Sequence, residues 1–568
     1  MAVYMPKMVC CSMVGFLLSA WPCLSIAATG NSGVASIDAA EQQAQAKQQA
    51  IQMNAAASAP VVSLGKTEKV SESASIIPMD EEGFRIHHIQ IQSVEPFFQT
   101  YQSVVAPYEG YRIGQKGINQ IVHVLTNALV ADGYITSQVS VPDQDLQSGT
   151  LLLTIHPGRI ERIQFKEPVA WGTWHTAFPV SNGDLLNVRA LEQGLEQMKR
   201  VANQDVTMQL QPGHTPYSSI VELQRTESSP ITMGLSVDNY GYKATGRWES
   251  TLNASWYNPL GLNDVLAYSY TKDIEHDDAR LGSSNYYASY SIPFGWYTLS
   301  ATAYRNQFRQ TIATIQPYLS QGTTTGQSLS LERVIHRDDT KKTSWQVQVL
   351  RRERHNYIDG EEIDIQKQKT TALAFGIRHR QYAGQTRWDW YGYYRKGVGG
   401  WGAEKQPWED GISYGTPRYG LWGTEFNLSA PVTVGGRSGT YTMRLVGQYA
   451  SMRLTTADQI SIGGHYTVRG FDGERNLSGE YGLYMQQEVA VPLDNGHWTP
   501  YIGVDAGFVG GPSTKYEIGR ALVGAVIGLR GQWGTHVGFD VNIGTPLYKP
   551  QGFKIGKTIV GVSIYAQL

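Results

Sequence analysis

From Ile231 to Leu568 the chain runs as short segments that alternate apolar and polar residues with a period of two, separated by clusters of Gly, Asn, Asp and Pro. Leu252, Ala254 and Trp256 oppose Thr251, Asn253 and Ser255; Leu299, Ala301 and Ala303 oppose Thr298, Ser300 and Thr302; Trp345, Val347 and Val349 oppose Gln346 and Gln348. The last segment is the cleanest, with Val560, Val562, Ile564, Ala566 and Leu568 on one side and Gly561, Ser563, Tyr565 and Gln567 on the other. Successive side chains of a strand point to opposite faces, so each segment is a strand with one oily and one wet face. A soluble sandwich alternates as well, but it rarely sustains the pattern as one unit over ~340 residues. A membrane barrel with lipid outside and water inside requires it. At about twenty residues per strand and connector, the segment supplies roughly sixteen strands, within two either way. The fold class expected is a transmembrane β-barrel of about sixteen antiparallel strands over residues 229–568, with a lumen wide enough to hold water and to need a plug.

Composition agrees with this and narrows the rest. The 568 residues carry a formal charge of −2, which gives no electrostatic basis for a dedicated nucleic-acid binder, so no nucleic acid is expected as a partner. The 60 Gly, 33 Tyr and 14 Trp suit a glycine- and aromatic-rich β protein better than a helical enzyme. Lys7, a mostly apolar run from Met8 to Ala20, and small residues at Ser25 and Ala27 read as a secretory signal over residues 1–28, cleaved near Ala27 or Ala28. Cys10, Cys11 and Cys23 all lie inside it, and Cys23 follows Trp21-Pro22, a poor context for lipid modification. The mature chain is then expected to hold no thiol, disulfide or cysteine-ligated metal. The longest apolar run past the signal, Ala521 to Leu529, falls far short of the ~20 residues of a spanning helix.

Between signal and barrel the chain divides again. Residues 29–58 include DAAEQQAQAKQQAIQMNAAAS, from Asp38 to Ser58, made of strong helix formers with Ile51 and Met53 almost its only large apolar residues. A helix polar all round does not dock by hydrophobic burial; it is free in water or sits in a polar, water-filled place. Residues 59–81, rich in Ser, Lys, Glu and Pro, read as a flexible linker. Two α+β modules follow, over 82–158 and 159–228. In the first, Phe84 to Ile91 reads as a strand, Ile118, Ile121, Val122, Leu125 and Leu129 fall at helical spacing, and Val139 to Val141 and Leu151 to Ile155 are strands. The second repeats the order, with Ile160 to Phe165, then a helix face at Val188, Leu191, Leu195, Met198 and Val201, then Val206 to Leu210 and Ile220 to Leu223.

Few motifs carry chemistry. Gly397-Val398-Gly399-Gly400-Trp401-Gly402 resembles a phosphate loop only as a string, since no βαβ unit surrounds it. His87 and His88 are neighbours on a strand, where alternating faces keep both rings from ligating one metal. No Ser, His and Asp share an interpretable motif, so no catalytic residue, no metal site and no cofactor is assigned and an enzyme is not expected. One charge stands out. Arg469, between Val468 and Gly470 in a glycine-rich loop expected over Val468 to Gly479, is costly in lipid but can pair with a strand carboxylate inside a polar lumen. Asp505, on one face with Gly503 and Gly507, which leave room for a loop backbone, is the first candidate partner; Glu488 is the second. The alternative is a merely solvated loop charge.

VRGF at Val468 to Phe471, followed by YIGVDAG at Tyr501 to Gly507 and preceded by SVDNYGYKATGRWESTLNASWYNPLGLNDVL from Ser236 to Leu266, resembles the outer-membrane transporters of two-partner, type V secretion, the TpsB family of haemolysin, adhesin and contact-dependent-inhibition transporters. NVRALEQGLEQMKRVANQDVTMQLQPG, from Asn187 to Gly213, is similar to the family's second POTRA module, and VPDQDLQSGTLLLTIHPGRIERI to the end of its first. The resemblance covers nearly the whole mature chain. It implies a Gram-negative outer-membrane barrel of sixteen strands, POTRA modules in the periplasm, a plug helix at the position of Asp38 to Ser58, and a sixth extracellular loop folded into the lumen. It also implies that Val468, Arg469, Gly470 and Phe471 form that loop's tip, with Arg469 paired to Asp505. The implied partners are a secreted TpsA-type exoprotein recognised through its amino-terminal secretion domain, the lipid bilayer, and the barrel-assembly machinery and periplasmic chaperones during biogenesis. The chain departs from the family at Leu568, where an aromatic terminus is usual, and at His465, where arginine is common. An assembly factor of the same superfamily, a solute porin and a membrane hydrolase are the alternatives.

Overall fold

The computed structural model describes residues 41–50, 53, 62, 83–276, 281–312, 317–404, 415–534 and 536–567, with the side chains of 365 and 516 set aside. The signal segment, its cysteines and most of the linker lie outside the described residues.

Sixteen strands, from Ile231–Asp238 to Ile559–Gln567, form one antiparallel sheet in sequence order, and a two-residue strand, Glu361–Glu362, extends one hairpin. The sheet closes where the last strand pairs with the first, from Ser563↔Asp238 to Gln567↔Gly234. Closure removes the edge that would leave backbone groups unpaired in lipid. Trp256, Leu329, Val347, Phe375, Ile527 and Ile564 are exposed on the outer face. Polar residues line the inside, where Thr251 bonds Thr271 at 2.8 Å and Thr302 bonds Ser328 at 2.8 Å. The turns at the end facing the modules are short, as between Phe294 and Tyr297, whereas the other end carries longer loops. Tyr318–Arg337 has 20 residues and Lys341–Ile358 has 18, more than the ~9–11 that cross a bilayer, so these strands project beyond it on the loop side. No described helix is long and apolar enough to cross a membrane.

Each module is a three-stranded sheet covered by helix. In the first, His88–Ser93 runs parallel to Thr150–His156, which pairs antiparallel with Gln138–Ser140, and the helix Gln115–Ala131 buries Ile121, Leu125 and Leu129 against them. The single strand expected from Phe84 to Ile91 is broken in two. The Gly149 carbonyl accepts both His87 N–H at 2.7 Å and His88 N–H at 3.2 Å, a kink that leaves both imidazoles exposed. In the second, Ser218–Glu227 is central, parallel to Arg159–Phe165 and antiparallel to Gln204–Pro212.

The helix of the second module, Val188–Lys199, is capped by Asn187, whose side chain accepts from Arg189 N. Leu191, Leu195 and Met198 pack into the module core, as helical spacing predicts. Its polar face is buried too, which periodicity does not show, because it docks onto the barrel's short turns. Gln197 donates to Thr298 at 3.1 Å, and Arg200 to Ser291 at 2.6 Å and to the Asn263 carbonyl at 2.9 Å. Glu196 accepts from Arg337 at 2.7 Å and from Lys342 at 2.5 Å. Burial alone raises the Glu196 carboxyl, but Lys342 and Arg337 outweigh it and hold it at about 2.

Removing one member of a buried ion pair costs ~3–5 kcal/mol. Glu196→Gln is expected to weaken docking by about the lower figure, since Glu192 still faces Arg337 at 3.6 Å. Faster hydrogen exchange in Val188–Lys199 is the readout. Because the folded carboxyl lies below its ordinary value, its contribution is full above pH 4.5 and is lost as pH falls through about 2.

Candidate functional site in the barrel lumen

Residues 450–480 connect the strands Arg437–Tyr449 and Tyr481–Ala490 and fold back into the lumen. This loop begins earlier than the sequence suggests, because Ile460–Ile462 pairs with Leu477–Gly479 in a separate hairpin instead of joining the wall. The Thr467 hydroxyl accepts from Gly463 N at 3.1 Å and Gly464 N at 3.2 Å, and Val468 N donates to Gly464 O at 3.0 Å, so the turn into the tip is pinned. Val468 and Phe471 then enter a small apolar cluster with Ile462, Leu477, Leu522 and Phe553, the two phenyl rings meeting edge to face at 5.7 Å.

Between those apolar anchors Arg469 points at the wall. Its Nε donates to Asp505 Oδ2 at 2.8 Å and its Nη2 to Asp505 Oδ1 at 2.9 Å, a two-pronged fork. Its Nη1 donates to Glu488 Oε2 at 2.7 Å, and its backbone N–H to Asp505 Oδ2 at 2.8 Å. Asp505 is fully buried. Wall pairing between Tyr481–Ala490 and Trp498–Gly510 lapses between Met485↔Ala506 and Glu488↔Gly503. In that gap Asp505 accepts Gln487 N–H at 3.2 Å, and Arg469 Nη2 donates to the Gln487 carbonyl at 3.1 Å. The loop thus takes over wall bonds that the two strands do not make to each other. Glu488 also accepts from Arg530 at 2.5 and 2.9 Å, and Arg530 donates to Asp540 at 2.9 Å while lying 4.0 Å over the Tyr501 ring.

Both candidate carboxylates therefore meet Arg469. Gly503 and Gly507 lie beneath the tip, where an added Cβ would stand 2.7 Å from Arg469 Nη2 and 3.0 Å from Val468 Cγ2 respectively. Gly470, at φ +98, rests on two further glycines that sequence reasoning did not single out. A Cβ on Gly524 would stand 1.9 Å from Arg469 O, and one on Gly544 would stand 2.8 Å from Gly470 Cα. Arg530 and Asp540 were missed as well, although their inward parity on the third and second strands from the end was readable. His465 stacks on Tyr240 at 3.6 Å beside this network.

Residues 41–50 are helical and lie inside the barrel. Lys47 pairs with Glu249 at 2.7 Å and approaches Asp238 at 3.5 Å; Glu41 pairs with Arg354 at 3.1 Å and accepts from Thr324 at 3.0 Å; Gln49 donates to Glu425 at 2.9 Å. These contacts reach the wall at three places. The wall is sectored by charge, with Asp238 and Glu249 on one side and Arg352, Arg354, Arg378 and Arg395 on strands Lys341–Ile358, Gln368–Ala383 and Thr386–Val398. A cavity of about 400 Å³ separates the helix from Arg352, Arg378 and Arg395 of this sector, lined also by Gln45, Gln49 and Tyr391. Lys47→Met leaves two wall carboxylates facing an apolar side chain and is expected to loosen the helix by ~2–3 kcal/mol. In planar bilayers, open-channel events of the full chain should become at least about tenfold more frequent.

Residues 217–531 match the family described as haemolysin secretion/activation protein ShlB/FhaC/HecB, residues 84–158 the ShlB-type POTRA domain and residues 159–212 the POTRA domain. The chain is 38% identical over 503 residues to the outer membrane transporter CdiB-2 of Burkholderia pseudomallei, covering 88% of this chain and 83% of that protein. It is 28% identical over 454 residues to the hemolysin transporter protein HpmB of Proteus mirabilis, covering 78% and 79%. The structure of CdiB from Acinetobacter baumannii superposes with a TM-score of 0.83 at 28% identity, over 93% of this chain and 99% of that one. With a closed barrel, two POTRA modules and a loop and helix inside the lumen, the chain belongs to the ShlB/FhaC/HecB family of two-partner secretion transporters of the Gram-negative outer membrane.

Proposed function

We propose that the POTRA modules capture the unfolded partner exoprotein by adding its backbone to an open sheet edge, and that the partner then passes through the lumen once helix 41–50 has left. The outer edges of His88–Ser93 and Arg159–Phe165 are covered by Gln102 and Glu109 and by residues 182–185, whereas Gln204–Pro212 pairs with Ser218–Glu227 on one side only, which supports the first step at the second module. Main-chain bonding at such an edge gives affinity without strict sequence demands, as a transporter reading an amino-terminal secretion domain requires. Folding of the partner outside supplies the drive, with no nucleotide chemistry and no enzymatic step in the transporter. The barrel-assembly machinery and periplasmic chaperones act on the chain before it reaches this state.

Within that scheme Arg469 positions the loop and the helix is the movable part. The observation that carries this is the contrast in how the two are held. The loop tip combines a buried fork to Asp505 with two apolar anchors, Val468 and Phe471, whereas the helix reaches the wall through Lys47, Glu41 and Gln49 and adds Met53 to the loop's apolar cluster. Water and the translocating chain can replace polar partners more readily than apolar burial.

Arg469→Ala leaves Asp505 buried without its guanidinium, a cost of ~3–5 kcal/mol to loop placement. With the partner co-expressed and surface levels matched, secretion into the medium is expected to fall at least about tenfold, while heat-modifiable mobility reports an intact barrel. Undiminished secretion by this variant would exclude the positioning role.

A further inference from the structure

At the extracellular rim, the barrel's outward-facing charges crowd onto one sector. Lys272, Arg305, Arg351, Lys369 and Lys396 lie on strands Val265–Asp273, Tyr297–Ile312, Lys341–Ile358, Gln368–Ala383 and Thr386–Val398. Their parity places them outside. Arg305 follows Ala301 and Ala303 on the outer face and sits across from Tyr286 and Thr325; Arg351 follows Val347 and Val349 and sits across from Gln327 and Thr371. Around the rest of the wall the corresponding outer positions are residues such as Trp422, Leu483 and Phe508, with no charged side chain among the described residues. The sector is not neutralised locally. Arg351 pairs with Glu353 at 2.5 Å and Lys369 with Glu404 at 2.9 Å, but Arg305 and Lys272 are exposed and make no ion pair among the described residues.

Directly on the membrane side of these cations the wall is dented. A depression of about 700 Å³ is lined by Leu266, Ala288, Ala301, Ala303, Leu329 and Val349, with Arg351 and the exposed Trp401 also on it. Three alanines stand where neighbouring strands carry larger side chains, so the oily band is hollow there.

A cation facing lipid is costly at mid-bilayer and nearly free at the headgroup level, which is where a seat for an anionic lipid belongs. Guanidinium forks match phosphate oxygens in pairs. In the outer leaflet of this membrane the phosphorylated lipid is lipid A, which carries phosphates at the headgroup level directly above several acyl chains. Phospholipids occupy the leaflet at the opposite rim. We propose that this sector is a seat for lipid A, with phosphate on Arg305 and Arg351 and an acyl chain in the alanine-floored depression.

The full chain, purified in detergent and titrated with hexa-acylated lipid A, is read by native mass spectrometry. Wild-type protein should retain one lipid A through delipidating washes. The Arg305→Gln/Arg351→Gln double variant should retain at least about tenfold less, since both charge-assisted phosphate contacts are lost. Ala301→Trp, which fills the depression without removing a charge, should also weaken retention, and Lys554→Gln, in the loop before the last strand on the other side of the same rim, should leave it unchanged. Heat-modifiable mobility confirms that every variant is folded. Equal retention by the double variant overturns the proposal, as does equal retention of dephosphorylated lipid A or of phosphatidylglycerol by the wild type. Displacement of bound lipid A by millimolar inorganic phosphate alone would overturn the acyl part of the seat.

Discussion

Everything in this molecule follows from the closure of one sheet. Backbone N–H and C=O groups have no water to bond in a bilayer, so a sheet left open there would carry a row of unpaired groups at several kcal/mol each. The pairing of Ile559–Gln567 with Ile231–Asp238 removes both edges at once. Closure also sorts the side chains, since a period of two sends the apolar set to lipid and the polar set to the lumen. What occupies the lumen must then be compatible with a polar wall, which is why a helix with hardly any apolar residues belongs inside.

The lumen holds two guests by different physics. The returning loop brings its own apolar cluster, and that cluster excludes water from around Arg469 and Asp505. A charge pair in such a place is costly to break because either partner alone would be buried uncompensated. The glycines of three adjacent wall strands let the loop backbone lie flat on the wall, so the pair is short and forked. The helix adds Met53 to that cluster and otherwise depends on charges matched to the sectored wall, Lys47 to the acidic side and Glu41 to the basic side. A part held this way can be displaced by another polar chain, while a part held by burial stays. In the proposed mechanism that difference makes the loop the fixed element and the helix the movable one.

The second POTRA module is fastened as firmly as the loop. Its helix is buried on both faces, one in the module core and one against the barrel turns. Arg337, at the foot of Tyr318–Arg337, joins Glu192 and Glu196 of that helix and also donates to the Val62 carbonyl at 2.7 Å, in the segment between helix 41–50 and the first module. One guanidinium thus meets the wall, the module and the tether of the plug.

Alternation alone determined the barrel, a strand number within two of sixteen and which face meets lipid, because side-chain parity is a local property that survives any arrangement of the strands. Helical spacing determined the two modules, while for Arg469 the residues alone left a wall carboxylate and a solvated loop position both open, and the pairing with Asp505 came from the resemblance carried by VRGF and YIGVDAG. Three things were not legible. The break at His87, the buried polar face of Val188–Lys199 and the glycine floor at Gly524 and Gly544 each depend on a partner distant in sequence. So does the gap in wall pairing at Gln487, which exists only because a loop from the far end of the same hairpin returns to fill it. Local pattern decides what each residue can face; which residues actually face one another is set by closing the sheet and packing its contents, and only the tertiary structure does that.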